Sequence, residues 1–389
     1  MFGRYGEGGE FLPRVLHLSI ARYNRELPRV GEPLEFLMSI HEEGTGITWQ
    51  QNVTVDPETE KRLVDATHDL LLWSVNLALT PDKARKRETE LGTLLHDTFI
   101  GTEGKKVLSR IRPTAILLNV DETILNLPWE LMGTQYGPLA LETPLGRLVT
   151  TRNMLRPGRD PLQEDTVVRI LVVANPTQDL AASKATITAL QEIEQRSQEF
   201  GGVGHNFTVE VDVLTREAAT RARFSEMLAE GDYDMLHFAG HGFLDRDEPG
   251  LSALRFADGD LAADEVLDLP WAKPPYFVFN SACESGRAVA GQRLVSGESQ
   301  TNGLAASFLA AGVEAYAGYF WPVTDAGAGI FAGTFYRSLF ERENVGLAFL
   351  EARRRAEDEL SHVADLTSRS AILFGDAASK HRRELMTAV

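Results

Sequence analysis

The sequence predicts an α/β fold, a mostly parallel sheet sandwiched by helices and preceded by a smaller α+β region. Three observations carry that expectation. Beyond residue 161, short apolar runs alternate with amphipathic stretches, as parallel strands joined by helical crossovers do. The runs there, such as Val167 to Ala174 and Met235 to Ala239, are apolar almost throughout, which suits strands covered on both faces. Between Pro57 and Thr98, apolar residues recur at intervals of three and four, the spacing of helices that cover a sheet.

Taken in order, Val15 to Ile20 and Leu34 to Ile40 read as strands. Leu63, Ala66, Leu70, Leu71, Val75 and Leu79, then Leu91, Leu94 and Leu95, mark two helices split near Pro81. A strand follows at Ala115 to Val120, and Leu127-Pro128-Trp129-Glu130-Leu131-Met132 leads to further apolar segments ending near Thr151. Pro157-Gly158-Arg159-Asp160-Pro161 resists both helix and central strand, so a boundary is placed there, dividing residues 1–156 from 157–389. The second part reads as strand Val167 to Ala174, helix Ala182 to Phe200, strand Phe207 to Leu214, helix Glu217 to Ala229, and strands Met235 to Ala239 and Tyr276 to Ser281. Helices are expected at Gly303 to Ala311, Ala326 to Phe340 and Val345 to Leu360, with strands near Ala315 to Phe320 and Ala371 to Phe374.

Composition narrows the function. The chain has 389 residues, 43% of them hydrophobic, enough for two or three modules with buried cores. Its 39 basic and 56 acidic residues leave a net charge of −17, which repels phosphate backbones and argues against nucleic acid as the main partner. A single cysteine, Cys283, excludes an internal disulfide framework and a multi-cysteine zinc site. The N-terminal MFGRYGEGGEFLPR lacks the apolar run of a secretory signal, and the longest apolar candidate, Leu304 to Trp321, is interrupted by Glu314 and glycines. A soluble, cytoplasmic protein without membrane contact is expected. No G-x-x-x-x-G-K-[ST] or strand-linked G-x-G-x-x-G occurs, and Gly201-Gly202-Val203-Gly204 reads as a connector, so neither a nucleotide nor any other cofactor is indicated. G-x-S-x-G is absent as well, which makes a serine α/β-hydrolase remote.

In open parallel sheets, reactive groups gather beyond the carboxyl ends of strands. Two strand ends carry chemistry here. Met235-Leu236-His237-Phe238-Ala239-Gly240-His241-Gly242 runs into a histidine bracketed by glycines, and Tyr276-Phe277-Val278-Phe279-Asn280-Ser281-Ala282-Cys283 delivers the only thiol. An imidazole beside a thiol can take its proton, letting Cys283 attack a carbonyl and His241 protonate the departing amine. The backbone N–H groups of Gly242 and Cys283 are the available oxyanion donors. A lone strand-end cysteine is more often a small buried hydrophobe, and a histidine beside glycines is usually a turn residue. Spacing alone leaves both readings open.

His237-Phe238-Ala239-Gly240-His241-Gly242, Asn280-Ser281-Ala282-Cys283-Glu284-Ser285-Gly286 and the small-residue stretch Gly303 to Val313 together resemble the CHAT family, in the caspase, separase and gingipain group of cysteine proteases. Leu127 to Met132 and Ile372-Leu373-Phe374-Gly375-Asp376 resemble further pieces of it, so the likeness runs from about residue 110 to 376. The resemblance implies a caspase-like catalytic domain over 157–389, completed or regulated by residues 1–156, with His241 and Cys283 as a catalytic dyad. It also implies a dedicated protein substrate and an activating protein partner or sensor, as in bacterial immune or stress pathways. A catalytically silent CHAT-like interaction scaffold is the alternative.

Trp321-Pro322-Val323-Thr324-Asp325 resembles the stretch that supplies an acidic specificity pocket in separases, which nominates Asp325 as a contact for Arg or Lys on the acyl side of the cleaved bond. Its competing role is a helix N-cap. Asp234 and Glu284 are lesser candidates for lining the cleft, against roles in opening a strand and shaping a turn. His237 reads as a strand-end histidine held by a hydrogen bond, and with no third ligand beside it no metal site is expected. Trp129 is assigned to the core. Residues 287–302, polar and aperiodic, read as a loop, and the caspase-like resemblance implies that it gates the site.

Overall fold

A computed structural model describes residues 14–23, 31–76, 80–134, 137–148, 167–180, 183–200, 208–245, 248–271, 273–287, 303–342, 344–363 and 365–379. The predicted linker at 157–161, the connector at 201–204 and residues 288–302 of the predicted gating loop lie outside the described residues.

Among the described residues, one sheet of eleven strands runs through the molecule. In chain order these are β1 (Val15–Arg22), β2 (Leu34–Glu42), β3 (Thr48–Val55), β4 (Ala115–Val120), β5 (Leu145–Leu148), β6 (Val167–Ala174), β7 (Thr208–Thr215), β8 (Met235–Ala239), β9 (Phe277–Asn280), β10 (Ala315–Tyr319) and β11 (Ala371–Phe374). Their spatial order is β3-β2-β1-β4-β5-β11-β10-β9-β8-β6-β7. Pairing is antiparallel between β1 and β2, β2 and β3, and β10 and β11, and parallel elsewhere. The mostly parallel α/β architecture expected from the sequence is thus the one found.

Apolar cores form on both faces of the sheet. Ile170, Val172 and Ala174 of β6 face the side covered by α4 (Ser183–Phe200), α7 (Asp325–Arg342) and α8 (Val345–Leu360). Leu171 and Val173 face the opposite core, which includes α5 (Arg221–Glu230) and α6 (Leu304–Ala310). That double cover explains why β6, β8 and β9 read as continuous apolar runs. At the β2–β3 edge only one face is sealed. Leu34, Phe36, Met38 and Ile40 of β2 pack with residues of α1 (Pro57–Asn76), α2 (Pro81–Leu95) and α3 (Gly101–Ile111), while the intervening residues are more open. Strand β3, Thr-Trp-Gln-Gln-Asn-Val-Thr-Val, escaped the sequence reading because only Val53 and Val55 of it are buried.

The segments on either side of the predicted boundary meet where Arg147 of β5 pairs with Phe374 of β11. Both Arg147 and its partner Glu130 are 1% exposed, and Arg147 Nε donates to Glu130 Oε1 at 2.9 Å. The same guanidinium donates to the carbonyls of Leu125 and Leu127 at 3.1 and 3.3 Å and lies over the rings of Phe320 and Phe374. Trp129, fully buried, donates from its indole to Ile124 O at 3.0 Å, as its core assignment required. Leu127 to Met132 therefore works as a structural clasp.

Candidate active site

Strands β8 and β9 are parallel neighbours, with Met235 opposite Phe277 and Phe238 opposite Asn280. His241 and Cys283 each lie three residues beyond the paired Phe238 and Asn280, so they leave the same edge of the sheet. Ser281 N donates to Phe238 O at 2.7 Å, which holds the two departing chains together. Gly242 then packs directly on the cysteine loop. A Cβ at that position would lie 2.9 Å from Ala282 Cβ and 3.2 Å from Cys283 O, which is why the chain beside His241 lacks a side chain. Thus Gly242 and Cys283, whose amides were nominated as oxyanion donors, lie on facing loops.

The thiol loop is anchored from below. Ser285 Oγ donates to Asn280 O at 2.8 Å and accepts from Tyr319 N at 3.2 Å, and Tyr316 Oη donates to Ser285 O at 2.9 Å. Gly286 N donates to Tyr319 O at 2.9 Å. This approach requires Gly318, where a Cβ would stand 2.7 Å from Gly286 N. Gly318→Ala is expected to lift the loop, costing about 1–3 kcal/mol of stability and changing the rate at which iodoacetamide alkylates Cys283 in the native protein. An unchanged rate and melting point would show that the loop does not rest on β10. Glu284, immediately after the thiol, has φ 53°, a conformation that costs a residue bearing a Cβ about 1–2 kcal/mol. Its carboxylate is bound by Arg287 Nη1 at 2.8 Å, and Arg287 in turn stacks on Phe320. Glu284 is therefore engaged in holding the turn.

Cys283 is partly buried. Burial pushes its thiol above the ordinary value and the negative charge of Glu284 adds to this, while hydrogen bonds from the Val323 and Cys283 amides pull the other way. The contact with Val323 brings the segment after β10 up to the sulfur. Asp325, part-buried, is the first residue of α7, but the cap is Thr324, whose Oγ1 accepts from Gly327 N at 3.0 Å. The competing N-cap role thus falls to its neighbour.

A residue the sequence reading missed completes the group. His241 Nε2 lies 3.0 and 2.9 Å from the two carboxylate oxygens of Asp179, leaving Nδ1 as the second ring nitrogen. Asp179 is reached through a turn at the carboxyl end of β6, the strand beside β8. Asn175 N donates to Ala239 O at 2.7 Å and Asn175 Oδ1 accepts from Leu180 N at 2.9 Å, with Asn175 and Gln178 at φ 51° and 67°. Hydrogen bonds from the Thr177 hydroxyl and then from His241 hold the Asp179 carboxyl below its usual range. The available signal was Asn175-Pro176-Thr177-Gln178-Asp179, a carboxylate on a turn directly after an apolar strand.

Asp234 requires correction. It precedes β8 and accepts from Arg169 N at 2.8 Å, at the amino end of the sheet. The five residues of β8 separate it from the His241 end by about 16 Å, so it opens a strand and does not line the crevice.

His237, inside β8 and fully buried, pairs its Nδ1 with Tyr336 Oη at 3.1 Å, and burial pushes its pKa down to about 3. His96, on a short π-helical turn after α2, is pushed down to about 4, by burial first and then by Lys105. Both imidazoles stay neutral when folded but protonate near pH 6.5 when unfolded, so the unfolded chain binds more protons below that pH. Stability is expected to be fully present above pH 6.5 and to fall as pH drops towards 4 and 3, by about 1.4 kcal/mol per pH unit for each group. Urea melts across this range check it, with a shallower acid slope in His96→Leu.

Among the described residues no group of three or more His, Cys, Asp or Glu could hold a metal ion, and no helix is long and apolar enough to cross a membrane. A family model of the CHAT domain matches residues 89–381, well over half of the chain. The chain belongs to the CHAT-domain family. No curated protein sequence matches this CHAT protein. In fold it is similar to the separase–securin complex of Saccharomyces cerevisiae, in two structures at TM-scores of 0.54 and 0.53 and 10% and 12% identity, each match covering 93% of this chain. The matches cover 30% of those chains, so the CHAT protein spans less than a third of their length. It is also similar to gingipain R, the Arg-specific cysteine proteinase of Porphyromonas gingivalis, at TM-score 0.45 and 12% identity over 76% of this chain and 68% of that one. The Drosophila initiator caspase Dronc matches at TM-score 0.35 and 11% identity, over 61% of this chain and 95% of that one. The CHAT protein has the caspase-like fold that its motifs implied.

Proposed function

We propose that this CHAT protein is a cysteine endopeptidase in which Cys283 is the nucleophile, His241 the proton carrier and Asp179 the residue that orients the imidazole. The observation that carries the proposal is the departure of both chemical loops from the same end of adjacent parallel strands, in contact through Gly242. His241 takes the thiol proton and the sulfur attacks the scissile carbonyl. The Gly242 and Cys283 amides then receive the negative oxygen. Collapse of that intermediate breaks the C–N bond as His241 protonates the departing amine. Water, deprotonated by His241, then cleaves the thioester and regenerates the thiol. Asp179 fixes the ring through Nε2 and stabilises the positive charge that forms on it. Asp325, beside the Val323 segment that reaches the sulfur, is the contact for a basic residue on the acyl side.

The raised thiol supports control by an activating partner or sensor, because a partly buried thiol held above its ordinary value offers less of the reactive thiolate until its surroundings change. A dedicated protein substrate cut in the cytoplasm, in a bacterial immune or stress response, fits this mode of control. The same raised thiol favours the second reading, an interaction scaffold without catalysis. Co-expression with products of neighbouring genes separates the two. A fragment that appears with the native protein and is lost with Cys283→Ala supports the endopeptidase, and its new terminus reports whether a basic residue precedes the cut. A thiol probe that labels Cys283 equally in native protein and His241→Ala supports the scaffold.

A further inference from the structure

Eight large hydrophobic residues are prominently exposed among the described residues, and two of them, Phe243 at 59% and Leu251 at 50%, lie on the excursion that begins at His241. That excursion is a small three-stranded sheet, Gly242–Phe243, Ala253–Phe256 and Gly259–Ala262, with Phe243 paired to Ala253 and Arg255 N donating to His241 O at 2.9 Å. Its first strand is the edge strand whose Gly242 packs on Ala282 and Cys283. An aromatic side chain thus stands open to solvent two positions from the imidazole, on the same short strand as the glycine that touches the thiol loop.

Strand order assigns this surface to one half of a substrate. The sequence β10-β9-β8 across the sheet puts the Cys283 loop between the Val323–Asp325 segment on one side and the His241–Phe243 strand on the other. A peptide lying across these strand ends has its carbonyl over the sulfur. Its leaving nitrogen must lie towards the imidazole that protonates it. The residues after the scissile bond therefore pass over Phe243, and those before it over Asp325. We propose that Phe243 and Leu251 form an apolar subsite for the leaving-group half of the substrate, selecting a large aliphatic or aromatic residue at the first or second position after the cut. This rests on the endopeptidase reading and adds to it the chemistry of one side of the cleavage site.

The test is a peptide library made from a bacterial lysate by cleavage after glutamate, incubated with the native protein and with Phe243→Ser, Phe243→Leu and Cys283→Ala. The residues flanking each Cys283-dependent cut are then read. The expected profile shows large apolar residues enriched after the cut, an enrichment reduced at least fivefold in Phe243→Ser and retained in Phe243→Leu. On one selected peptide, Phe243→Ser should raise KM at least fivefold with a smaller change in kcat, and an unchanged melting point shows that the variant folds. The same profile in native protein and Phe243→Ser, or apolar enrichment only before the cut, overturns the subsite. Failure of the native protein to cut any peptide in a Cys283-dependent way, both alone and together with the co-expressed products of neighbouring genes that would supply an activator, overturns the endopeptidase reading itself.

Discussion

Cys283→Ala is expected to lower the rate of peptide cleavage by about 10⁴-fold or more, leaving only what binding and oxyanion contacts supply. His241→Ala should cost about 10²–10⁴-fold, the usual contribution of a positioned acid–base group. Because thiol and imidazole act as one unit, the double variant should be no slower than Cys283→Ala alone. Asp179→Asn separates orientation from charge. An amide can still hydrogen-bond to Nε2, but it cannot stabilise an imidazolium, so kcat should fall while KM changes little. Single-turnover rates on a cleavable peptide measure all four variants. Wild-type kcat in Asp179→Asn would show that the 2.9 Å contact is a surface ion pair without a catalytic part.

Glu130→Ala should destabilise the protein by about 3–5 kcal/mol, a large share of the roughly 5–15 kcal/mol that holds a typical domain together. The reason is asymmetry. Arg147 is 1% exposed, and removing its carboxylate partner strands a guanidinium charge that water cannot reach. Its remaining bonds to the Leu125 and Leu127 carbonyls do not neutralise it. Replacing both residues, Glu130→Leu with Arg147→Met, should cost much less than the sum of the single changes, since no buried charge then remains. Denaturant titrations give the three free energies. Additive losses would mean that the pair is solvated in the native state. The effect should extend along the sheet, because Arg147 sits where β5 joins β11.

Much of the fold could be read from periodicity. Ala115–Val120, Val167–Ala174, Met235–Ala239 and Ala371–Phe374 begin and end where their apolar runs do, because strands covered on both faces admit few polar residues. The helices α1 and α2 divide at Pro81, as a proline at the first helical position predicts. The edge strand β3 and the small sheet over 242–262 were illegible for the opposite reason. They are short or polar, and their stability comes from neighbours far away in sequence. Glu217 to Ala229 was expected to be one helix, yet α5 starts only at Arg221, where Thr220 supplies the cap.

At the candidate site, local sequence determined that a histidine and the sole thiol would each emerge from the end of a buried apolar strand, since hydrophobic runs and glycines are properties of short segments. Tertiary structure decided everything relational. It decided that β8 and β9 are neighbours, that the turn after β6 brings Asp179 to His241, and that Thr324 caps α7. Strand order and side-chain reach are set by how distant segments bury one another's surfaces, and no local pattern of residues encodes that.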